Sequence, residues 1–208
     1  MSRPVSIDAK AILEAARVIF LKNGYSASTK QIAKKAGISE GSLFKHFKTK
    51  TDLFMSAMED DDGIISWEEK LMGSAGKGNI RSNLESVGLQ VLRNLQVVLP
   101  RIMMVRSSGI MLQGQDYTGS REMPHPVRKL YALANYFRAE VKCGRLVMDN
   151  PELGAQMFLG TLVYYVFQQV IFSFRIVTPE KYVCAVVEMF MAMHDGGSFD
   201  KVRKGSRK

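Results

Sequence analysis

Cysteine, proline, histidine and tryptophan are all scarce in this 208-residue sequence. Two cysteines, Cys143 and Cys184, and three histidines, His46, His125 and His194, are its soft metal ligands, and their spacing is not that of a metal site. Two cysteines also exclude the dense disulfide framework of a small secreted domain, and no secretory signal opens the chain. We therefore expect a cytoplasmic protein with no metal and no other cofactor.

The sequence also lacks the period-two pattern of β-strands and any convincing pair of nucleophile and base. The stretch GSAGKGN, residues 73–79, resembles a phosphate loop, but no strand precedes it and Gly78 stands where Ser or Thr should follow Gly-Lys. The acidic run at 59–62 lacks the alternation of a calcium loop. These absences argue against an enzyme.

Positive charge, in contrast, is in excess and unevenly placed. Residues 1–50 contain ten Lys or Arg against three Asp or Glu, residues 51–194 contain fourteen against fifteen, and residues 195–208 contain five against two. A compact basic segment is typical of a surface that meets phosphate, although a solvated face gives the same pattern. The last segment is expected to be a disordered basic tail.

Apolar residues recur at helical spacing along the chain, which predicts an all-α fold. Capping residues and glycines place the first helices at 11–22, from Thr29 to Gly37, after Ser39, and from Thr49 through Met58. Further helices are predicted at about 79–99, 101–114, 126–143, 151–176 and 179–194.

The stretch TKQIAKKAGISEGSLFKHF, residues 29–47, combines two helical ends with a helix-breaking middle. Ser28 and Ser39 are placed to cap its two helices, and Gly37 lies where a tight turn needs a positive φ. Small and apolar residues would fill the elbow: Ile32, Ala33, Ala36, Ile38 and Leu43. This pattern predicts a helix-turn-helix, whose second helix enters the DNA major groove, with an ordinary helical corner as the alternative.

Two unfavourable residues shift the balance towards DNA. Gly41 weakens the second helix of the pair, a cost of roughly 1 kcal/mol relative to alanine that close approach to DNA would explain. Lys50 opposes the macrodipole in the first turn of the following helix, unless a phosphate docks at that helix N-terminus.

The segment GYSASTKQIAKKAGISEGSLFKHFKTKTDLF, residues 24–54, resembles the DNA-binding half of the TetR family of bacterial transcriptional regulators. With the preceding helix, the resemblance covers about the first quarter of the chain. The matching residues are Gly24, Tyr25, Ser28, Thr29, Ile32, Ala33, Ala36, Gly37, Ile38, Ser39, Gly41, Leu43, His46, Phe47, Lys50, Leu53 and Phe54.

This resemblance implies a homodimer with an N-terminal three-helix helix-turn-helix domain at 1–50. A larger helical-bundle domain for ligand binding and dimerisation would follow at 51–194, and the tail would occupy 195–208. The implied function is repression from a palindromic double-stranded DNA operator, relieved by a small-molecule effector. Two alternatives stay open: control by a protein partner without an effector, and a helical-bundle interaction protein whose basic face is incidental.

The resemblance also assigns residues to the DNA contact. Ser28, Thr29, His46 and Lys50 are expected at phosphate. Lys45 suits either guanine or phosphate. Phe44 stands where the family usually has a tyrosine whose hydroxyl reaches the DNA backbone, so only an apolar contact carries over. The full predicted set is Ser28, Thr29, Lys30, Gln31, Ser39, Gly41, Ser42, Phe44, Lys45, His46 and Lys50.

A run of 22 uncharged residues, LGAQMFLGTLVYYVFQQVIFSF, lies between Glu152 and Arg175 and is long enough to span a bilayer. Gln156, Gln168 and Gln169 within it would be costly in lipid, so we expect no membrane. A helix buried on nearly all sides, with one face against a partner subunit, explains the run better. The predicted dimer interface comprises Leu159, Val163, Val166, Val170, Val183, Val186, Val187 and Phe190.

Methionine and aromatic residues at helical spacing suggest an apolar ligand cavity, although the same pattern is more common in a plain core. The predicted ligand residues are Trp67, Met103, Met104, Met111, Phe158, Leu162 and Tyr165. An apolar or aromatic effector with few polar anchors is the expected occupant.

Overall fold

The computed structural model describes residues 8–59, 66–110 and 125–194, and within these ranges the chain is helical with short connections. The N-terminal helices are α1 (Ala9–Asn23), α2 (Thr29–Ala36), α3 (Glu40–His46) and α4 (Lys50–Glu59). The remaining helices are α5 (Glu68–Gly73), α6 (Ile80–Ser107), α7 (His125–Lys142), α8 (Pro151–Phe172) and α9 (Pro179–His194). The predicted all-α fold is confirmed.

One compact unit contains α1 to α4 and the part of α6 from Val97 onwards. Its core forms because α1, α2, α3 and α4 each contribute apolar residues at helical spacing. The fully buried members include Ile12, Phe20, Ile32, Leu43, Leu53 and Phe54. Phe20 and Phe54 meet edge to face, with ring centroids 5.0 Å apart. α4 therefore belongs to this core, where it packs against α1.

A second compact unit contains α5, α6 up to Gln96, and α7 to α9. Aromatic rings fill its centre: Phe190 of α9 lies 5.1 Å from Phe137 of α7 and 5.6 Å from Phe158 of α8. At Gly88 of α6, a Cβ atom would lie 2.7 Å from Cγ1 of Val183, so α6 and α9 pack at close range there.

Two features of the middle of the chain differ from the sequence predictions. The predicted helices at 79–99 and 101–114 are one helix, α6, with Pro100 in its interior. A proline there costs about 3 kcal/mol, because it lacks a donor and crowds the preceding turn. The helix nevertheless continues through Pro100 to Ser107. The six-residue α5 was not predicted, since its N-cap residue Trp67 makes no side-chain capping bond.

Within the single chain, the apolar helix α8 is buried along one stripe. The predicted burial on nearly all sides includes a face against a partner subunit, so it stays a prediction. The helix ends at Phe172, four residues before the predicted end, and Ser173 follows with φ 51°. By length and composition α8 is apolar enough to cross a membrane, and 28% of its most apolar window is buried. A core helix of a soluble protein passes the same test, so this is weak evidence for a membrane span.

Candidate nucleic-acid interface

The turn between α2 and α3 has the predicted backbone. Ser28 caps α2 by accepting from the Lys30 amide at 3.2 Å, and Ser39 caps α3 by accepting from the Ser42 amide at 3.1 Å. Gly37 between them is left-handed at φ 72°, ψ 26°, and the Ile38 amide donates to the Ala33 carbonyl. Glycine suits this turn because a Cβ is disfavoured in that conformation.

The predicted reading residues of α3 lie together on its solvent side. Leu43 is fully buried in the elbow, while Phe44 is 40% exposed. Lys45 and His46 follow it in the last turn of α3 and are exposed. The remaining predicted contacts at the start of the helix are Ser39 and Gly41, both exposed, and Ser42, half-buried. The surface therefore combines hydroxyls, two basic side chains and an exposed aromatic ring.

Gly41 has no packing reason to be glycine within the chain. It is helical without a positive φ, and an added Cβ would meet only the Ser39 hydroxyl, at 3.9 Å. An alanine would therefore fit the free protein and favour the helix. Among the described residues, no packing contact explains a glycine at this exposed position.

Thr29, predicted at phosphate, has its hydroxyl engaged inside the chain. It donates to Oε1 of Glu40 at 2.5 Å, joining the first residue of α2 to the first residue of α3. A phosphate oxygen can only accept, so in this arrangement Thr29 offers phosphate its backbone amide rather than its hydroxyl. Lys30 and Gln31, also at the start of α2, are exposed. Glu40, half-buried at the start of α3, is an acidic member of this surface that was not predicted at the DNA contact.

Lys50 at the N-terminus of α4 is held by an aromatic ring. Its Nζ lies 4.8 Å from the centroid of Tyr25, whose hydroxyl is 2.9 Å from Thr51 Oγ1. A cation over such a face is stabilised by about 0.5–1 kcal/mol, which offsets the unfavourable helix dipole. Thr49 and Asp52 cap the same helix reciprocally, at 3.0 Å in both directions. Tyr25 belonged to the recognised motif, but only the fold brings its ring under Lys50.

The predicted ligand residues are distributed over both compact units, and their role stays a prediction. Met104 packs against the core of the first unit, and Met103 of the same helix is half-buried. Trp67 lines a cavity of about 50 Å³ in the second unit, whose lining includes none of the other six. Met111 lies outside the described residues. The last three form part of the core of the second unit: Phe158, Leu162 and Tyr165.

Half of the predicted dimer residues face their own subunit. Leu159 and Val186 are half-buried, and Val163 and Val170 remain exposed by 39% and 36%. The other four are at most 7% exposed within the single chain and therefore offer little surface to a partner subunit: Val166, Val183, Val187 and Phe190. On helices that are apolar all round, periodicity does not reveal which face meets the chain's own core.

The glycine-rich loop at 73–79 is tied down within the second unit. Glu140 of α7, fully buried, accepts from the Gly76 amide at 3.1 Å and pairs with Arg145 Nε at 3.1 Å. Arg145 in turn donates to the Gly78 carbonyl at 2.8 Å. Because Gly76 gives its amide to a carboxylate, this loop does not form a phosphate cradle. Among the described residues, no group of three or more His, Cys, Asp or Glu is placed to hold a metal ion.

Comparison with known proteins gives matches at both ends of the chain. Residues 12–57 match the family model of bacterial regulatory proteins of the tetR family, and residues 119–195 match the C-terminal domain model of AefR-like transcriptional repressors. The sequence is 40% identical to the HTH-type transcriptional regulator QacR of Staphylococcus aureus over 60 residues, 28% of this chain and 31% of that relative. The match thus spans less than a third of QacR.

Two longer matches cover most of the chain. YvkB of Bacillus subtilis, an uncharacterized HTH-type transcriptional regulator, is 25% identical over 173 residues, which is 81% of this chain and 86% of the relative. The crystal structure of a TetR-family transcriptional regulator from Mesorhizobium loti superposes with a TM-score of 0.67 at 21% identity, covering 93% of this chain and 99% of that one. This structural likeness shows a shared fold.

Proposed function

The chain belongs to the TetR family of bacterial transcriptional regulators, and from this premise we propose that it is a dimeric repressor in the cytoplasm. It binds a palindromic operator and is released by a small-molecule effector. In such a dimer each subunit presents one α3 to a major groove, and the two half-sites lie roughly 34–36 Å apart.

The proposal rests on the solvent-exposed face of α3. Its exposed residues include Ser39, Lys45 and His46, and at Gly41 no Cβ covers the backbone. The N-termini of α2 and α4 suit phosphate, because their leading amides and the Lys50 ammonium attract anions. In the proposed complex, α3 contacts base edges, and the N-termini of α2 and α4 contact phosphates.

Selection from random duplex DNA tests the proposal, followed by titration of the winning sequences at two salt concentrations. A palindrome bound tightly, with affinity that falls steeply as salt increases, is the expected result. Weak binding that is blind to sequence would contradict a specific regulator and favour a helical interaction protein with an incidental basic face.

Dimerisation is supported by an exposed apolar stripe on α8. Met157 is 50% exposed and Tyr164 is 57% exposed, while Met189 of α9 is 69% exposed. Gly160, between the first two, has no atom within 4 Å of an added Cβ, which allows a second helix to approach closely. The stripe advances by steps of three and four residues: Leu153, Met157, Gly160, Tyr164, Phe167 and Ile171. Such a surface is unfavourable in water unless a partner covers it.

Release by an effector is tested by thermal shift with a panel of small molecules, because a ligand selective for the native state raises the apparent stability. A compound that raises the melting temperature and lowers operator affinity supports effector control. If operator affinity is unchanged by every compound that raises the melting temperature, control by a protein partner is favoured instead.

A further inference from the structure

Glu40 places an acidic side chain on a surface whose predicted DNA contacts are all neutral or basic. It is the first residue of α3 and is half-buried. A carboxylate does not bind phosphate, because both groups are negatively charged and both accept hydrogen bonds. Near DNA this side chain therefore weakens binding unless it accepts a hydrogen bond from a base.

One carboxylate oxygen of Glu40 is held by the chain itself. Oε1 accepts from the Thr29 hydroxyl at 2.5 Å, and Thr29 is the first residue of α2. This bond restricts the side-chain torsions of Glu40, so the entropic cost of ordering the side chain is met before DNA binds. The free protein thus already fixes the direction of the carboxylate.

The second carboxylate oxygen, Oε2, is left for another donor. It makes no hydrogen bond or ion pair with a described residue, and it is not among the buried side-chain atoms that lack a partner, so it keeps accessible surface. The neighbouring hydroxyls of Ser39 and Ser42 lie 2.9 Å apart and are hydrogen-bonded to each other. Gly41 has no side chain. In the first turn of α3, Oε2 is therefore the acceptor that the chain does not use.

Glu40 lies at the edge of the exposed face of α3. At 3.6 residues per turn, it is displaced by about 40° from Phe44 and by about 60° from Leu43. Phe44 is 40% exposed and Leu43 is fully buried, which agrees with the half-burial of Glu40 between them. In the proposed complex the exposed face of α3 enters the major groove, so the carboxylate comes to base edges there.

We infer that Glu40 determines sequence specificity by accepting a hydrogen bond, through Oε2, from the N4 amino group of a cytosine in each half-site. This amino group is the donor that cytosine presents in the major groove. Adenine presents an amino donor beside an acceptor, whereas guanine and thymine present acceptors and no donor. The order of preference at that position is therefore cytosine, then adenine, then guanine and thymine. The inference rests on the proposed operator binding and names a base that the operator contains.

Selection from random duplex DNA with the wild-type protein and with Glu40→Gln tests this contact. Glutamine keeps the length of the side chain and an oxygen that accepts from Thr29, so the fold should be preserved, and circular dichroism checks that it is. The amide group suits adenine, which it contacts through N6 and N7. We expect one position in each half-site to change from cytosine to adenine, while the rest of the palindrome is retained.

A double-mutant cycle between residue and base pair then isolates the contact. Replacing the selected C·G pair by T·A in both half-sites should weaken wild-type binding by at least about tenfold. Glu40→Gln should bind the two duplexes about equally. Glu14→Gln, exposed on α1 of the same unit, removes the same charge and should retain the wild-type discrimination.

A modified duplex gives a second test that needs no variant. In N4-methylcytosine a methyl group replaces the amino hydrogen that faces the major groove. This base at the selected position should weaken wild-type binding by at least about tenfold. If Glu40→Gln does not fold, the modified duplex decides, and an unchanged wild-type affinity refutes the contact.

The outcomes separate this inference from the proposed function. If wild-type protein and Glu40→Gln select the same palindrome, the proposed regulator stands and the role of Glu40 in specificity is refuted. A palindrome in which no position prefers cytosine also refutes that role alone. If the wild-type protein selects no sequence at all, the proposed regulator and the specificity residue are refuted together.

Discussion

Gly41 presents a conflict between stability and function at a single residue. Its Cβ position is open within the chain, so Gly41→Ala should raise the free energy of unfolding by about 1 kcal/mol. The same methyl group would stand between α3 and the DNA backbone, so operator affinity should fall. Chemical denaturation and operator titration measure the two effects. Gly73→Ala, at the end of α5 with equally open space, is the control and should leave affinity unchanged.

The role of Lys50 in DNA binding is inferred from its charge. Lys50→Ala should weaken binding to all sequences alike and lower the slope of log affinity against log salt by about one unit, because one phosphate contact is lost. Titrations at four salt concentrations measure the slope, and Lys142→Ala at the end of α7 serves as an exposed-lysine control. A changed sequence preference, with an unchanged slope, would show that Lys50 contacts a base.

The turn between α2 and α3 is the element on which the interface depends. Gly37 has a left-handed backbone and no neighbour within 4 Å of an added Cβ, so substitutions there change only the backbone energy. Gly37→Val should reduce the free energy of unfolding by at least ~1 kcal/mol, and Gly37→Asn by less, because Asn tolerates this conformation. Thermal denaturation of both variants tests the order. Equal melting temperatures would contradict a backbone origin.

Elements near the N-terminus were predictable because their signals are local. Ser28, Gly37 and Ser39 each act within four residues of their own position, so their caps and turn followed from the sequence and are confirmed. Pro100 carries an equally local signal, which predicted a break in α6. The helix nevertheless continues to Ser107, because a local preference is only a weak guide when tertiary contacts compete with it.

At the scale of the whole molecule, the faces of α8 and α9 escaped prediction. Val163 and Val166 are both valines in one uncharged run, yet one is 39% exposed and the other fully buried. Val183 is enclosed because α6 has a glycine opposite it, a pairing that no pattern along α9 records. In the same way, the ring of Tyr25 under Lys50 follows from the packing of α1 against α4. Such contacts depend on the assembled fold.

The dimer is tested by placing charge on the exposed stripe of α8. Met157→Glu should convert the protein to a monomer, because an unpaired charge would be buried at the centre of the interface. Operator affinity should also fall, because a monomer places only one α3 in a major groove. Sedimentation velocity measures the mass, and Val147→Glu, at a residue that is 63% exposed between α7 and α8, is the control. A Met157→Glu variant that sediments as a dimer would move the interface to another face.

The anchored loop at 73–79 has a consequence for proteolysis. Lys77 in a glycine-rich surface segment is by composition an easy site for trypsin. Its carbonyl nevertheless accepts from Asn83 and Arg145, each at 3.4 Å, and its neighbours Gly76 and Gly78 are tied to Glu140 and Arg145. These hydrogen bonds must break before trypsin can cleave after Lys77, so cleavage requires local opening of the loop. The rate at which trypsin nicks Lys77 therefore measures how often the end of α7 releases its loop.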